Sequence, residues 1–327
     1  MKLTSFPIIQ QHTRRSFMTK GLRAGLLCGM APYVKAATPT KYRTALIGCG
    51  WWGMNILREA MAADRAKVVG LSDVYERPLL VSQDEVNQLT GDTPNIYKDY
   101  RELLKKERPE IVIIATPDHW HALPCIDALK MGAHVYVEKP TSHTINESRS
   151  MLHAAEAANR AVQVGLHRRI GPHHRSGMDF LRSGQVGKIG MVKMFITGGG
   201  SGPESPSPHG KAPTGMDWDM WCGPAPLRPY CQKLTPGGWR NFLDYANGTL
   251  GDWGVHWLDQ LLWWTEEKYP KSIYSTGGRP ISGPAVFSNE MGSTTDAPDT
   301  QTVTYDFESF TAIWEHRKYG GSAQEKH

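Results

Sequence analysis

The chain has 327 residues, 40% of them hydrophobic and 21% charged, so it can bury the cores of about two globular domains. Its formal net charge of +5 is concentrated in residues 1–37, which hold six of the 37 basic residues and no acidic residue. The remaining 31 basic and 32 acidic residues predict no nucleic-acid partner, and without a run of ~20 apolar residues we expect no membrane anchor.

The first 37 residues have the pattern of an export signal. The stretch Thr13-Arg14-Arg15-Ser16-Phe17-Met18 carries a twin-arginine pair, a mildly apolar segment follows over residues 22–34, and small residues stand at Ala36-Ala37. This order is typical of a twin-arginine signal peptide that is removed near Ala37. We therefore expect the twin-arginine export machinery as a partner and a periplasmic or otherwise exported mature protein.

A short apolar run over residues 44–47 breaks into three glycines with the spacing G-x-G-x-x-G, namely Gly48, Gly50 and Gly53. In a dinucleotide-binding turn the first glycine permits the tight turn, the second lets the backbone approach the pyrophosphate, and the third lets the helix pack against its strand. The N-terminus of that helix offers free N–H groups to the anion. We expect Trp51 and Trp52 to pack over the bound dinucleotide.

The next predicted strand covers residues 67–73 and ends in an acidic residue, Asp73, twenty residues past Gly53. At this distance a carboxylate holds the ribose 2′-OH of NAD. Because Asp73 would repel the 2′-phosphate of NADP, the sequence favours NAD. Arg77, four residues further on, is the side chain that argues for NADP.

Strands and helices alternate over residues 41–166. Capping-box patterns at Asp99-x-x-Glu102 and Thr144-x-x-Glu147 mark two helix starts, and we expect Asp118 to cap a third helix. The continuous apolar run over residues 111–116 predicts a strand that is buried on both faces. The alternation predicts an α/β fold in which a doubly wound parallel sheet forms an NAD(P)-binding Rossmann domain.

Beyond residue 166 the predicted strands follow one another with few helices between them. This order favours a second α/β domain over residues 167–327 with an open, mainly antiparallel sheet. A Gly-, Pro- and Ser-rich loop covers residues 198–214. Helices are predicted over residues 172–183 and 251–264, and strands over residues 188–197, 272–276, 301–307 and 311–317.

Four motifs occur in a specific order: Gly48-Cys49-Gly50-Trp51-Trp52-Gly53, Thr116-Pro117-Asp118-His119-Trp120-His121, Glu138-Lys139-Pro140 and Gly251-Asp252-Trp253-Gly254-Val255-His256. In this order they resemble the glucose-fructose oxidoreductase/inositol dehydrogenase (Gfo/Idh/MocA) family. The resemblance implies a Rossmann domain, a C-terminal α/β domain, a homo-oligomer and NAD(P)-dependent oxidoreduction of sugars and their relatives. Stretches at residues 221–226 and Trp239-Arg240 look like an exported subgroup. Family members usually continue further, so we expect an incomplete C-terminal domain.

Lys139 directly follows an apolar strand, which places it at the carboxyl end of the sheet where an open α/β fold binds its ligand. A partly desolvated lysine at this position can exchange a proton with a substrate hydroxyl. From the residues alone, a surface lysine at a strand end is the favoured explanation of the pattern. The resemblance implies the catalytic and substrate-contacting role, often with a cis bond to Pro140.

Asp252 and His256 stand four residues apart on a predicted helix, so their side chains share one face. Histidine is suited to take a hydroxyl proton near neutral pH, although a helix cap and a packed histidine explain the same spacing. The resemblance implies that His256 is the acid/base or a substrate ligand and that Asp252 orients it or the sugar. No third ligand is evident in the sequence, so we expect no metal.

The remaining site residues are assigned by position and by the resemblance. Thr116, Pro117 and Glu138 are expected at the cofactor. His119 and His121 are expected to contact its ribose or to cap the following helix. Arg169, with Arg168 beside it, lies where the family brings polar side chains to the substrate, and a solvated pair is the alternative.

These features favour an exported, NAD-dependent oxidoreductase that acts on a sugar, a polyol or a glycoside. One alternative is a glycosidase that oxidises C3 of a sugar transiently with bound NAD, so that the glycosidic bond breaks by elimination. A second alternative is a non-catalytic remnant that binds NAD or a sugar.

Overall fold

The computed structural model describes residues 40–199 and 202–318. The predicted signal at residues 1–37 lies outside these residues. Two sheets organise the described part, a six-stranded sheet within residues 42–164 and a four-stranded sheet within residues 191–317.

The first sheet is entirely parallel and has the strand order β3-β2-β1-β4-β5-β6, which confirms the predicted doubly wound sheet. The chain winds outward from β1 in both directions, so a topological switch point lies between β1 and β4. In such sheets the ligand binds outside the carboxyl ends of the strands at this point. The strands are β1 Tyr42–Ile47, β2 Ala66–Ser72, β3 Asn95–Tyr97, β4 Ile111–Ile114, β5 His134–Val137 and β6 Val162–Val164.

Five helices connect these strands: α1 Trp51–Ala62, α2 Glu76–Thr90, α3 Tyr100–Glu107, α4 Ala122–Lys130 and α5 Ile145–Ala158. The reciprocal capping box of Thr144 and Glu147 is present, and Asp99 accepts the N–H of Arg101. The prediction for Asp118 is wrong, because it begins a 3₁₀ turn, Asp118–Trp120, that runs directly into α4. The backbone that precedes α4 is already helical, and no side chain caps it.

The central strands of this sheet are buried on both faces. Leu46, Val112, Ile114 and Val137 have no exposed surface, because helices cover both sides of the sheet. The two apolar clusters on opposite faces fix the sheet firmly and therefore fix the loops at its carboxyl edge.

The second sheet has the order β7-β12-β11-β8, in which β7 pairs with β12 in parallel and the other two pairs are antiparallel. The sheet is therefore mixed and mainly antiparallel. Its strands are β7 Met191–Thr197, β8 Ser272–Gly278, β9 Phe287–Ser288 and β10 Gly292–Ser293 in a separate hairpin, β11 Thr300–Asp306 and β12 Thr311–Arg317. Helices α6 Pro172–Arg182, α7 Trp218–Cys222 and α8 Val255–Thr265 accompany it.

The predicted helix over residues 251–264 starts differently from expectation, because a π-helical turn, Leu250–Gly254, precedes α8. Such turns are rare and often occur at functional sites. This one carries Asp252, and α8 carries His256. Leu250 and Leu261 pack with Trp314 of β12, so the second sheet holds this helix in place.

A further apolar cluster, which we call the strap core, lies within residues 216–246 and rests on loops of the first sheet. Asp217 donates its backbone N–H to the carbonyl of Val74 at 2.9 Å, directly after β2. The indole N–H of Trp120 lies 3.1 Å from the carbonyl of Trp221. The strap core therefore pins the loops after β2 and β4. Its two cysteines, Cys222 and Cys231, are buried free thiols.

None of the helices in residues 40–199 and 202–318 combines the length and the apolar character needed to cross a bilayer. Within the same ranges, no group of three histidine, cysteine or carboxylate side chains is arranged to hold a metal ion.

Gly53→Ala is expected to lower the free energy of unfolding by about 1 to 3 kcal/mol, because of overpacking. A Cβ at Gly53 would meet the carbonyl oxygen of Gly48 at 2.0 Å, so the glycine loop and α1 must separate. Gly177→Ala is the matched control, because Gly177 also lies within a helix but has nothing within 4 Å of its Cβ position. This control should be neutral or more stable by about 0.5 to 1 kcal/mol. Urea denaturation measures both, and equal stabilities would contradict the close packing.

Candidate cofactor site and active site

The glycine loop between β1 and α1 has the backbone geometry that a dinucleotide requires. Gly48 has a φ of +94°, and a Cβ there would lie 2.7 Å from the carbonyl carbon of Ala115. Gly50 is the N-cap of α1, receives no side-chain cap, and has nothing within 4 Å of its Cβ position. The free N–H groups of the first turn of α1 therefore face open space, and this loop fits a pyrophosphate.

Asp73 follows β2 directly and ties the two cofactor loops together. Its carboxylate accepts the backbone N–H of Cys49 at 2.8 Å and the backbone N–H of Tyr75 at 2.9 Å. Burial raises the pKa of Asp73 to about 6, against the opposing effect of these hydrogen bonds. Asp73 thus stands where the ribose contact is predicted, while Arg77 is exposed on α2.

The two tryptophans of the glycine loop differ in their surroundings. Trp51 is 77% exposed, and its ring centroid lies 5.3 Å from that of Trp52. The Trp52 ring lies 5.5 Å from the ring of His167, which follows β6. Trp52 therefore joins the cofactor loop to the region of the catalytic residues, and Trp51 extends toward solvent.

Lys139 and Asp252 meet across the two sheets. The Nζ of Lys139 donates to Oδ1 of Asp252 at 2.5 Å and to its backbone carbonyl at 2.9 Å. Arg240 donates from Nε to the same Oδ1 at 3.3 Å, and its guanidinium stacks on Trp239. The peptide bond between Lys139 and Pro140 is cis, as the resemblance implies. Two cations thus share one carboxylate at the carboxyl end of β5.

Asp118 adds a second carboxyl group to this cluster. It is 4% exposed. Burial and the nearby Asp252 raise its pKa well above the ordinary value, and Arg240 and Lys139 oppose this. Asp118 therefore favours its protonated form more than an exposed aspartate does.

His256 lies beside this cluster and is 6% exposed. Its Nδ1 is buried and has no hydrogen-bond partner within the described part of the chain. Burial, together with the positive charges of Lys139 and Arg168, lowers the pKa of His256 to about 3. His256 is therefore a neutral imidazole near neutral pH in the ligand-free protein.

The turn after β4 is held by its own polar groups. The ring nitrogens of His121 lie 2.7 Å from the carbonyl oxygen of Pro140 and 2.9 Å from that of Thr116. Burial lowers the pKa of His121 to about 4, so the ring is neutral and its one N–H donates to one of these two carbonyls. His119 makes a similar contact with the carbonyl of Trp221 at 3.0 Å. His121 therefore positions Thr116 and Pro140, and its predicted cofactor contact stays a prediction.

Glu138 is buried directly before Lys139. The hydroxyl of Tyr136 donates to its Oε1 at 3.0 Å, and the backbone N–H of Lys139 donates to its Oε2 at 3.1 Å. The hydroxyl oxygen of Thr116 is buried without a partner in the described ranges. Both groups lie at the carboxyl edge of the parallel sheet, where the cofactor is expected.

The two arginines after β6 have different environments. Arg169 makes a two-pronged ion pair with Asp259 of α8, at 2.8 and 2.6 Å. Arg168 stacks on Trp257 at 4.5 Å, and its buried Nε has no partner in the described part. The structure therefore engages Arg169 in an ion pair with α8, and its predicted substrate contact is not tested.

The predicted catalytic residues Lys139, Asp252 and His256 thus come together beside the glycine loop. Sequence reasoning missed three neighbours: Arg240, Asp118 and His167. Arg240 stands in the Trp239-Arg240 pair and Asp118 in the Thr116–His121 motif, and the sequence analysis singled out both stretches. For His167 the available signal was its position directly after a strand of the parallel sheet.

Two family models match the chain. Residues 42–166 match the model described as oxidoreductase family, NAD-binding Rossmann fold, and residues 201–275 match the C-terminal alpha/beta domain of the same family. Both models are of the GFO_IDH_MocA family and together cover more than half of the chain.

Two curated proteins that match the chain do so at less than 30% identity. A protein of Akkermansia muciniphila named glycosyl hydrolase family 109 protein 1 is 28% identical over 153 residues, which are 46% of this chain and 32% of the relative. The rhizopine catabolism protein MocA of Rhizobium meliloti is 24% identical over 244 residues, 75% of this chain and 63% of the relative. The chain thus spans about a third of the first relative and less than two thirds of the second.

Solved structures share the fold. The WlbA dehydrogenase from Bordetella pertussis, in complex with NADH and UDP-GlcNAcA, superposes with a TM-score of 0.62 at 18% identity and covers 86% of this chain and 68% of its own. A levoglucosan dehydrogenase, in complex with NADH and levoglucosan, gives a TM-score of 0.63 at 19% identity with the same coverage.

NAD affinity is expected to fall as the pH is lowered through about 6, because protonated Asp73 loses acceptor capacity for the ribose hydroxyl. One pH unit below that pKa, the loss should reach about 10-fold if only the carboxylate form binds. Calorimetric titration of NAD at pH values between 5 and 8 measures this dependence. Asp73→Asn should weaken binding and flatten the curve, and an unchanged pH dependence in that variant would contradict the assignment.

Proposed function

Because the chain belongs to the Gfo/Idh/MocA oxidoreductase family, we propose that it is an NAD-dependent dehydrogenase acting on a hydroxyl or ketone of a sugar, polyol or glycoside. The observation that carries this proposal is the meeting of Lys139, Asp252 and neutral His256 at the carboxyl edge of the parallel sheet. Bound NAD supplies the hydride acceptor at the nicotinamide.

The residues of the chain divide the remaining work. Asp252 holds Lys139 by two hydrogen bonds, and Arg240 holds Asp252, so the ammonium group has a fixed position. Lys139 can donate a hydrogen bond to the substrate oxygen. Neutral His256, with Nδ1 unpartnered in the described ranges, can accept the hydroxyl proton as the carbinol carbon loses its hydride.

A second candidate function is the NAD-dependent glycosidase. Similarity to proteins named glycosyl hydrolase family 109 favours it, although the match covers about a third of those relatives. Oxidation of C3 by bound NAD, with the same residues handling the proton, would acidify the neighbouring C–H. The glycosidic oxygen could then leave by elimination. Both functions therefore begin with the same hydride transfer.

The two functions differ in their net products. The protein, incubated with NAD and a panel of sugars, polyols and aryl glycosides, is expected to form NADH in step with an oxidised sugar. Absorbance follows NADH, and chromatography follows the sugar. Release of aglycone without net NADH would assign the glycosidase instead. NAD binding without either product would support the non-catalytic reading.

Lys139→Ala and His256→Ala are each expected to lower turnover by ~10²- to 10⁴-fold, because a positioned acid or base is removed. Their NAD affinity should change little, because neither side chain is assigned to the pyrophosphate. Lys271→Ala is a matched control, since Lys271 is an exposed lysine that pairs with exposed Glu308 at the second sheet. Steady-state kinetics and NAD titration separate the two effects. Near-normal turnover in both variants would show that Lys139 and His256 are structural.

We also propose that the protein is exported in the folded state with its nucleotide bound, because residues 1–37 carry the twin-arginine pattern. Arg14→Lys combined with Arg15→Lys is expected to retain the protein in the cytoplasm. Arg23→Lys is the control, because it changes an arginine outside the pair. Cell fractionation measures the outcome, and undiminished export of the double variant would argue for another route.

A further inference from the structure

The proposed oxidation releases one proton in each turnover, and that proton must leave a buried site. The carbinol carbon gives its hydride to the nicotinamide, and the hydroxyl gives its proton to His256. His256 is 6% exposed, so bulk water has little access to its ring. Before the next turnover, the histidine must pass this proton to a group that reaches solvent.

The groups around His256 differ in their ability to accept a proton. Lys139 is bound to Asp252, which also receives a hydrogen bond from Arg240. The Asp252 carboxylate is thus already engaged by two basic side chains. Arg168 keeps its own proton at every relevant pH. Trp253, whose ring centroid lies 6.5 Å from that of His256, has no titratable group.

His167 is a further neighbour, and its ring packs against that of His256. Its ring centroid lies 4.9 Å from that of His256, with the planes at 66°. Unlike His256, residue His167 is exposed to solvent. Trp52 packs on it at 5.5 Å, and Gly165 forms a backbone hydrogen bond with it, so the ring is held beside His256.

Opposing interactions act on the pKa of His167. Burial, Arg168 and Lys139 lower its pKa, while Glu138 and the bond to Gly165 raise it. The ring is therefore a neutral imidazole near neutral pH. A neutral imidazole accepts a proton on one nitrogen and can return it to water.

We propose that His167 is a proton relay between His256 and solvent. This inference rests on the proposed dehydrogenase function. The proton moves from His256 to His167 and from His167 to water, and both rings return to the neutral state. In the direction of ketone reduction, the same two steps run in reverse and deliver a proton to His256.

The test compares His167→Phe with wild type, because phenylalanine keeps an aromatic ring beside Trp52 and His256 but has no nitrogen. In single-turnover experiments with NAD and a sugar of the panel that the wild-type protein oxidises, the first hydride transfer should keep its wild-type rate. Steady-state turnover at low buffer concentration should fall by about 10-fold or more, with KM and NAD affinity unchanged. Added imidazole should restore turnover in this variant and leave wild type unaffected.

His173→Phe is the matched control, because it removes an exposed histidine that stacks on His174 rather than on His256. It should behave as wild type. Unchanged steady-state turnover in His167→Phe, or a loss that imidazole does not restore, would overturn the relay. A wild-type protein that forms no NADH would instead overturn the proposed function.

A second measurement does not depend on turnover. In ligand-free protein with ¹⁵N-labelled histidine, exchange of the His256 ring N–H with solvent is expected to be slower in His167→Phe than in wild type by about 10-fold or more. The His173→Phe control should exchange at the wild-type rate. Equal exchange rates in wild type and His167→Phe would show that the proton leaves His256 by another path.

Discussion

The ion pair between Lys139 and Asp252 is the interaction on which the site depends. The two residues are 113 positions apart, with Lys139 after β5 and Asp252 in the π-helical turn before α8, yet their side chains are only 12% and 21% exposed. A largely buried charge that lacks its partner destabilises the folded protein, so each of the two groups requires the other. The same bond therefore fixes the second sheet over the cofactor edge of the first and orients the ammonium group. Arg240 reinforces it from a third segment of the chain.

The strap core serves the same geometry from the other side. Its backbone bonds to Val74 and its contacts with His119 and Trp120 hold the loops after β2 and β4. Those loops carry the groups predicted to contact the two riboses. Because the loops are already ordered without ligand, binding of a dinucleotide loses less conformational freedom. The cofactor site and the substrate site are thus parts of one connected framework.

The local features of the sequence predicted the fold well, and the features that depend on distant neighbours were the ones missed. The glycine spacing and the Thr144 capping box are each encoded within a few residues, and Asp73 stands twenty residues past Gly53. The sequence therefore predicted these features directly. Aspartate is a common helix-capping residue, but Asp118 lies in a 3₁₀ turn and close to Asp252, so its environment differs from that of a cap. The lowered pKa of His256 arises from burial and from Lys139 and Arg168, which no spacing along the chain reveals.

The proposed dehydrogenase and the proposed glycosidase share the hydride-transfer step, so they differ only in the proton transfers that accompany it. Dehydrogenation requires a group that accepts the hydroxyl proton, and neutral His256 fits this role. Elimination of a glycoside requires in addition an acid that protonates the leaving oxygen. Burial and the nearby Asp252 raise the pKa of Asp118 well above its ordinary value, so this carboxyl is the candidate acid in the proposed glycosidase. Both proposed functions would use the Lys139–Asp252 pair, and the glycosidase would in addition need Asp118 in its protonated form.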